Sequence, residues 1–378
     1  MVNQTKNFSE EDYDAIMKMV VYTKSDRLTV GVITPIIVSI GIIGNIITIL
    51  VLSKTPRMQT SVNVYLTSLA VADMLFLIMA PVISWQSLVN SDVIDMYDHP
   101  KTNAIFCKFN NFIIEVTYQM AYLMILCISV ERYLAICRPL KYRTYGTRLR
   151  AIKICLAVWV VVLIYQSRIL ITMTWTVFHK FPWPDKYEGL PNVTMVCAFC
   201  LPIETTRCNV IYYLYYVDIT IGLLVMLTLV PLYYLMVKKL RNSRFASVKK
   251  VERRRGSDVT VFRTVLLTVS VYAFCYIPFN IVNIVADPTK SVEVRTMYWF
   301  RVMMYVNAAV NPIIYNVTNA VYRQSFLEFF RCGRIFGSGM TTGFNCTATK
   351  RLTSSQSSKN SKQIKLTSII KTNSSTNN

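Results

Sequence analysis

Apolar residues gather into seven runs, at about 28-52, 64-89, 109-136, 154-175, 210-237, 264-286 and 297-317, and polar or basic residues fill the gaps. A bilayer core about 30 Å thick is crossed by about 20 helical residues, so each run predicts a spanning α-helix. Most connections are short, but 176-209 and 238-263 are long. No internal repeat relates the two halves, which argues against a transporter built from inverted repeats. Behind the seventh run, Val321, Phe326, Phe329 and Phe330 alternate with Arg323, Glu328 and Arg331, the pattern of a short amphipathic helix lying on the inner leaflet. The remaining tail is rich in Ser and Thr and poor in apolar residues, so disorder is expected there. The predicted organisation is an extracellular segment 1-27, a spanning bundle 28-318, an amphipathic helix 319-332 and a cytoplasmic tail 333-378. The fold class is therefore an all-α membrane protein with seven transmembrane helices. Residues 1-27 hold Glu10, Glu11, Asp12, Asp14 and Asp26 without an apolar core, so no cleavable signal peptide is expected and the first span targets the chain.

Composition sharpens this picture. Of 378 residues 53% are hydrophobic and only 16% charged, yet the net charge is +21. A soluble domain carries about 25% charged residues, and a basic excess can mean nucleic acid or membrane. Location decides. The odd-numbered connections and the tail hold 28 basic and four acidic residues, against 11 basic and 13 acidic on the opposite face. The larger positive excess faces the cytoplasm, which puts the N-terminus outside. The cluster Lys249, Lys250, Arg253, Arg254 and Arg255 then faces anionic headgroups, with a protein contact in addition, and nucleic-acid binding is excluded for want of a separate fold. Asn3, Asn7 and Asn192 begin glycosylation triplets on the outer face. Four outer cysteines, Cys107, Cys197, Cys200 and Cys208, allow three pairings in an oxidising exterior, whereas Cys127, Cys137, Cys155 and Cys275 read as small packing residues. Cys332 behind the amphipathic helix is either a palmitoylation site or a free thiol. His99 and His179 are the only histidines and both lie outside the runs, so no zinc-protease motif or His-based triad forms in the core and no enzyme is expected.

Polar and proline residues inside the spans are functional candidates by default. They are Gly44-Asn45 in the first span, Asn63 and Leu69-Ala70-Val71-Ala72-Asp73 in the second, and Glu131-Arg132-Tyr133 closing the third after Cys107 opens it. Trp159 follows in the fourth, Tyr233 in the fifth, Cys275-Tyr276-Ile277-Pro278 in the sixth and Asn311-Pro312-Ile313-Ile314-Tyr315 in the seventh. In this order and on these helices they resemble the rhodopsin-like G protein-coupled receptors over about residues 28 to 332. The stretches 130-137 and 232-236 are similar to neuropeptide receptors, near the neuromedin U and thyrotropin-releasing hormone groups.

The resemblance implies a receptor that activates a heterotrimeric G protein, with an arrestin-like partner after phosphorylation of the tail. It implies that Arg132 pairs in the resting state with an acid at the base of the sixth span. Asp258 has that place, although it also suits the N-cap of that helix. Tyr315, Tyr233 and Arg132 are implied to rearrange together as the sixth span, kinked at Pro278, swings outward. Asp73, Asn45, Asn307 and Asn311 form either a sodium and water site or a polar cluster without an ion. The usual Ser of the third span is Ala121 here. Two further departures are Tyr276, where the family carries Trp, and the missing Pro of the fifth span, with Pro231 lower down.

Glu115, Arg168, Asp218 and Arg301 stand at similar outer depths, where they either satisfy one another or meet a charged ligand; Tyr118, Phe279 and Asn283 complete the candidate pocket. Ile114 occupies the position at which amine receptors carry Asp, and residues 297-317 contain no retinal-binding Lys. An extracellular peptide is the expected ligand, with a small molecule or lipid as the alternative, and a transporter as the more distant one. The resemblance favours bridges Cys107 to Cys197 and Cys200 to Cys208, with Cys107 to Cys200 as the alternative.

Overall fold

The computed structural model describes Asp14, Lys18 and Asp92 together with residues 21–90, 97–98, 104–180, 193–199, 206–242, 249–285 and 294–335. Helix formation starts at a capping box, in which Asp26 N donates to Thr23 Oγ1 at 3.2 Å and Thr23 N donates to Asp26 Oδ2 at 2.9 Å. Two amides that no helical carbonyl could reach are thereby satisfied. Helix α1 follows as Lys24–Lys54, continuous through one π-helical turn at Thr29–Ile33. Then come α2 (Ser61–Asn90), α3 (Ala104–Cys137), the short α4 (Pro139–Tyr145), α5 (Arg148–Gln166), α6 (Arg168–Thr172), α7 (Thr206–Asn242), α8 (Lys249–Val285), α9 (Val294–Thr318) and α10 (Ala320–Ile335).

Six spans among the described residues are long and apolar enough to cross a membrane: α1, α2, α3, α5 with α6, α7 and α8. The seventh, α9, has 25 residues, about 37 Å of helix, and Arg301, Asn307 and Asn311 dilute its apolar character. Around the bundle α1 packs on α2 and α9, α8 on α7 and α9, and α2 on α5, while α3 runs through the middle against α2, α5, α7 and α8. Close approach of α1 to α9 depends on glycine. A Cβ on Gly41 would lie 2.5 Å from Leu77 Cδ1 and 2.8 Å from Ala309 Cβ, and one on Gly44 would lie 3.0 Å from Pro312 Cγ. The main core joins Leu69, Met120, Tyr122, Met124, Tyr272 and Tyr276, and a smaller outer cluster joins Tyr22, Val30, Leu77, Val302 and Tyr305.

Several boundaries depart from the predicted ones. The fourth span was expected to reach residue 175, but α5 ends at Gln166, Ser167 makes a turn, and the chain enters a strand at Met173. Met173-Thr-Trp-Thr-Val-Phe is apolar enough to extend a hydrophobic run, yet its β-branched and aromatic residues favour pairing. That strand, β2 (Met173–Lys180), joins β3 (Val193–Phe199) and β1 (Tyr97–Asp98) in an antiparallel sheet of order β1-β3-β2. The bundle thus carries a small β addition that helical periodicity did not announce. On the cytoplasmic side the long basic connection shrinks, because α7 continues to Asn242 and α8 begins at Lys249. Asp258 is therefore interior to α8, which overturns its reading as an N-cap.

Asn319 caps α10 by accepting from Val321 N at 3.0 Å and Tyr322 N at 3.2 Å. Phe326 and Phe330 then stack along the same helix at 4.8 Å. Cys332 falls within α10 rather than behind it, and its side chain lies outside the described residues. So do the side chains of Asp258, Asn283, Cys197 and Cys208, while Asn3, Asn7, Asn192, Cys200 and the tail beyond 335 lie outside altogether.

Candidate functional site

In the outer half, α3, α6 and α7 bring three charged residues together. Arg168 Nη2 donates to Asp218 Oδ2, and Tyr165 Oη donates to Asp218 Oδ1 at 2.8 Å. The Arg168 guanidinium lies 4.0 Å above the Tyr165 ring, a cation–π contact. These side chains are 17% and 15% exposed, so the pair is largely desolvated and depends on its partners. Glu115 is half-buried within electrostatic range of Asp218 and Arg168, and it makes no hydrogen bond or ion pair among the described residues. The cluster thus joins two acids to one base, and Arg168 Nη1 is a buried donor without a hydrogen-bond partner among the described residues. One turn further in, Gln166 Nε2 donates to Gln119 Oε1 at 3.0 Å. Arg301 is half-buried on α9, as is Phe279 on α8. Phe279 lies edge-on to Tyr118 at 6.0 Å, and Tyr118 accepts from Asn280 Nδ2 at 2.8 Å. Cys107 is fully buried and disulfide-bonded, with a partner outside the described side chains; β2 runs beside this end of α3. Cys127, Cys137, Cys155 and Cys275 are free thiols.

Midway through the bundle, Asn311 Nδ2 donates to Asp73 Oδ2 at 2.8 Å, and both residues are buried. Asn45 turns elsewhere: its Nδ2 donates to the carbonyls of Gly41 at 2.9 Å and Ala308 at 3.1 Å, binding α1 to α9. Among the described residues no group of three His, Cys, Asp or Glu is placed to hold a metal. Trp159 Nε1 donates to Ser68 Oγ at 2.9 Å and so fixes α5 on α2.

At the cytoplasmic end, Glu131 is held by the Ser61 hydroxyl and, at 3.4 Å, by the Tyr142 hydroxyl of α4. Arg132 beside it is buried, and its Nε has no hydrogen-bond partner among the described residues. Tyr133 packs on the main core from α3. Tyr233 shares a hydrogen bond of 3.1 Å with Ser129, one turn before Arg132, and packs on Phe262. Tyr315 stands edge-on to Tyr322 at 5.9 Å, Tyr322 shares a 2.8 Å hydrogen bond with Thr48, and Thr264 shares one of 2.7 Å with Thr318. Sequence reasoning missed Ser61, Tyr142, Tyr165, Thr264 and Thr318. Tyr165 stands three residues before Arg168, a spacing that puts side chains on one helix face, so that signal was available. The other partners come together only through the packing of separate helices.

Charged side chains are thus joined across helices in the outer half, and separate hydroxyl pairs join helices at the cytoplasmic end. Residues 44–315 match the family described as 7 transmembrane receptor (rhodopsin family). The chain belongs to that family. It is a multi-pass membrane receptor, and Asn311-Pro312-x2-Tyr315 and Glu131-Arg132-Tyr133 occupy the helices on which the resemblance placed them. Among its relatives is the neuromedin U receptor homolog nmur-2 of Caenorhabditis elegans, 28% identical with 84% of each chain covered. Somatostatin receptor type 4 of Rattus norvegicus is 26% identical over 84% of this chain and 76% of its own. Growth hormone secretagogue receptor type 1 of Homo sapiens is 26% identical over 75% of each. As a family member the receptor works through a heterotrimeric G protein.

Proposed function

We propose that this receptor responds to an extracellular peptide carrying a basic group, which enters the outer half of the bundle and neutralises Glu115. The observation that carries this reading is the Glu115 carboxyl, which has no hydrogen-bond or ion-pair partner among the described residues, beside an Arg168–Asp218 pair in which both Asp218 oxygens are already engaged. A cation brought to that cluster gains a partner without displacing one, whereas a neutral lipid leaves the charge desolvated. The relatives whose names speak of neuromedin U and somatostatin support a peptide. Tyr118, Phe279, Asn283 and Arg301 would line the path, and Cys107 would pin the second extracellular loop over it.

The rest of the assignment follows from placement. Asp73, Asn311, Tyr276, Pro278 and Pro312 form the moving core, and an Arg132 to Asp258 pair would restrain the resting state. A sodium ion would find the Asp73 carboxylate and the buried, unpartnered Oδ1 of Asn45, but Ala121 supplies no third oxygen. Asn3, Asn7 and Asn192 would carry glycans and Cys332 a palmitoyl chain. The tail, once phosphorylated, would offer negative charge to an arrestin-like protein. A library of amidated neuropeptides applied to cells expressing the receptor, with second-messenger readout, tests the proposal. At least one basic peptide should evoke a response that Glu115→Gln weakens tenfold or more. Activation by lipids alone, or by a peptide indifferent to Glu115→Gln, contradicts it.

A further inference from the structure

We infer that Gly222 is a positioning residue of the switch: the space left by its missing side chain seats the hydroxyl-bearing edge of the Tyr276 ring, and keeping that space free of a side chain holds the resting arrangement. This inference rests on the receptor reading above. Tyr276 is fully buried, two residues before Pro278. Its ring is stacked between Tyr272 at 5.0 Å and Tyr118 at 5.2 Å, both at 24°, and meets Tyr122 edge-on at 6.2 Å. Three aromatic neighbours therefore fix the plane of the ring and the direction of its hydroxyl, which points across to α7. There a Cβ on Gly222 would overlap Tyr276 Oη and lie 2.7 Å from Cζ. Any residue but glycine excludes this rotamer.

Glycine inside a helix costs about 0.5–1 kcal/mol relative to Ala, and Gly222 lies in the interior of the 37-residue α7. Helix formation does not ask for it, whereas the Tyr276 hydroxyl does. The seat itself is steric: among the described residues Tyr276 Oη is buried and makes no direct hydrogen bond, and the same holds for Tyr272 Oη and Tyr122 Oη. A buried hydroxyl without a partner opposes the arrangement, so packing alone retains the ring. Tyr118 is the connection to the ligand. It is half-buried in the candidate pocket, stacks on Tyr276, and accepts from Asn280, whose same amide nitrogen donates to the Tyr276 carbonyl at 2.7 Å. A ligand group that shifts Tyr118 slides the Tyr276 ring out of the Gly222 seat. The half of α8 below Pro278 then loses its register against α7.

The experiment is a double-mutant cycle on the full-length receptor with Gly222→Ala, Tyr276→Phe and the pair. Two readouts are needed: basal nucleotide exchange on purified G protein, and heat stability in detergent with no G protein present. Gly222→Ala should raise basal exchange at least threefold and lower heat stability. Tyr276→Phe keeps the stacked ring in the seat and removes the unpartnered hydroxyl, so stability should rise and basal exchange should fall. In the pair Cζ still lies 2.7 Å from the added Cβ, so exchange should fall at least twofold below that of Gly222→Ala without reaching that of Tyr276→Phe. Additive effects in both readouts, or a higher basal rate from Tyr276→Phe, overturn the inference. If Gly222→Ala does not reach the membrane, Tyr276→Phe alone decides by the sign of its two effects. A receptor that drives no exchange on any G protein contradicts the receptor reading instead, and the stability cycle still reports on the seat.

Discussion

Arg168 supplies the only counter-charge hydrogen-bonded to Asp218 among the described residues, and both side chains are largely withdrawn from solvent. Removing one partner of a buried pair costs about 3–5 kcal/mol, because the survivor stays desolvated. Arg168→Ala should therefore lower the unfolding midpoint of the solubilised receptor sharply, and the further change Asp218→Leu should recover much of the loss. Equal damage from the single and double variants would show that the pair is not the determinant. At the opposite end of α3, the Ser61 hydroxyl is the nearer of the two donors holding Glu131 beside Arg132. With Ser61→Ala the carboxylate is free to turn to Arg132, so basal exchange should fall by a few fold, and Tyr142→Phe should change less. An increase in either variant contradicts this arrangement. The sequence marked Glu131, Arg132, Asp73 and Asp218 because charge in a span is rare. It could not mark Ser61 or Tyr142, since a hydroxyl is cheap anywhere and only the fold gives it a partner.

Helices meet at single contacts that can be removed one at a time. The Thr264–Thr318 hydroxyl pair joins the cytoplasmic half of α8 to the end of α9, a contact that an outward swing of the sixth span would break. A net hydrogen bond contributes about 1 kcal/mol, which is about fivefold in a two-state balance. Thr264→Val should raise basal exchange by about that factor, and an unchanged rate would place the restraint elsewhere. Gly41 makes the opposite case: a methyl group there meets Leu77 and Ala309, and overpacking costs about 1–3 kcal/mol. Gly41→Ala should lower the melting midpoint, while Ala309→Gly in the same chain should restore part of it. Seven apolar runs were enough to locate the spans, because a bilayer sets their length. Their ends were less legible. Met173 to Phe178 is apolar whether it is helix or strand, and the basic start of α8 reads as a connection because charge on a helix that leaves the membrane carries no periodic signal.

For the molecule as a whole, charge reports topology. The basic excess lies on the face that carries Arg132, and the opposite face is close to neutral, so long-range attraction does not select the ligand. A tag ahead of Asn3 should be labelled on intact cells, and one behind Asn378 only after permeabilisation; the reverse would invert the whole assignment. The central claim is that occupancy of the outer cluster is transmitted to Arg132 and read by a G protein. Its most direct test is nucleotide exchange by the purified receptor in liposomes, with and without an amidated peptide selected on cells. The account predicts peptide-stimulated exchange that Arg132→Ala abolishes and no solute flux through the protein. Flux without G protein, or stimulation that survives Arg132→Ala, would contradict it.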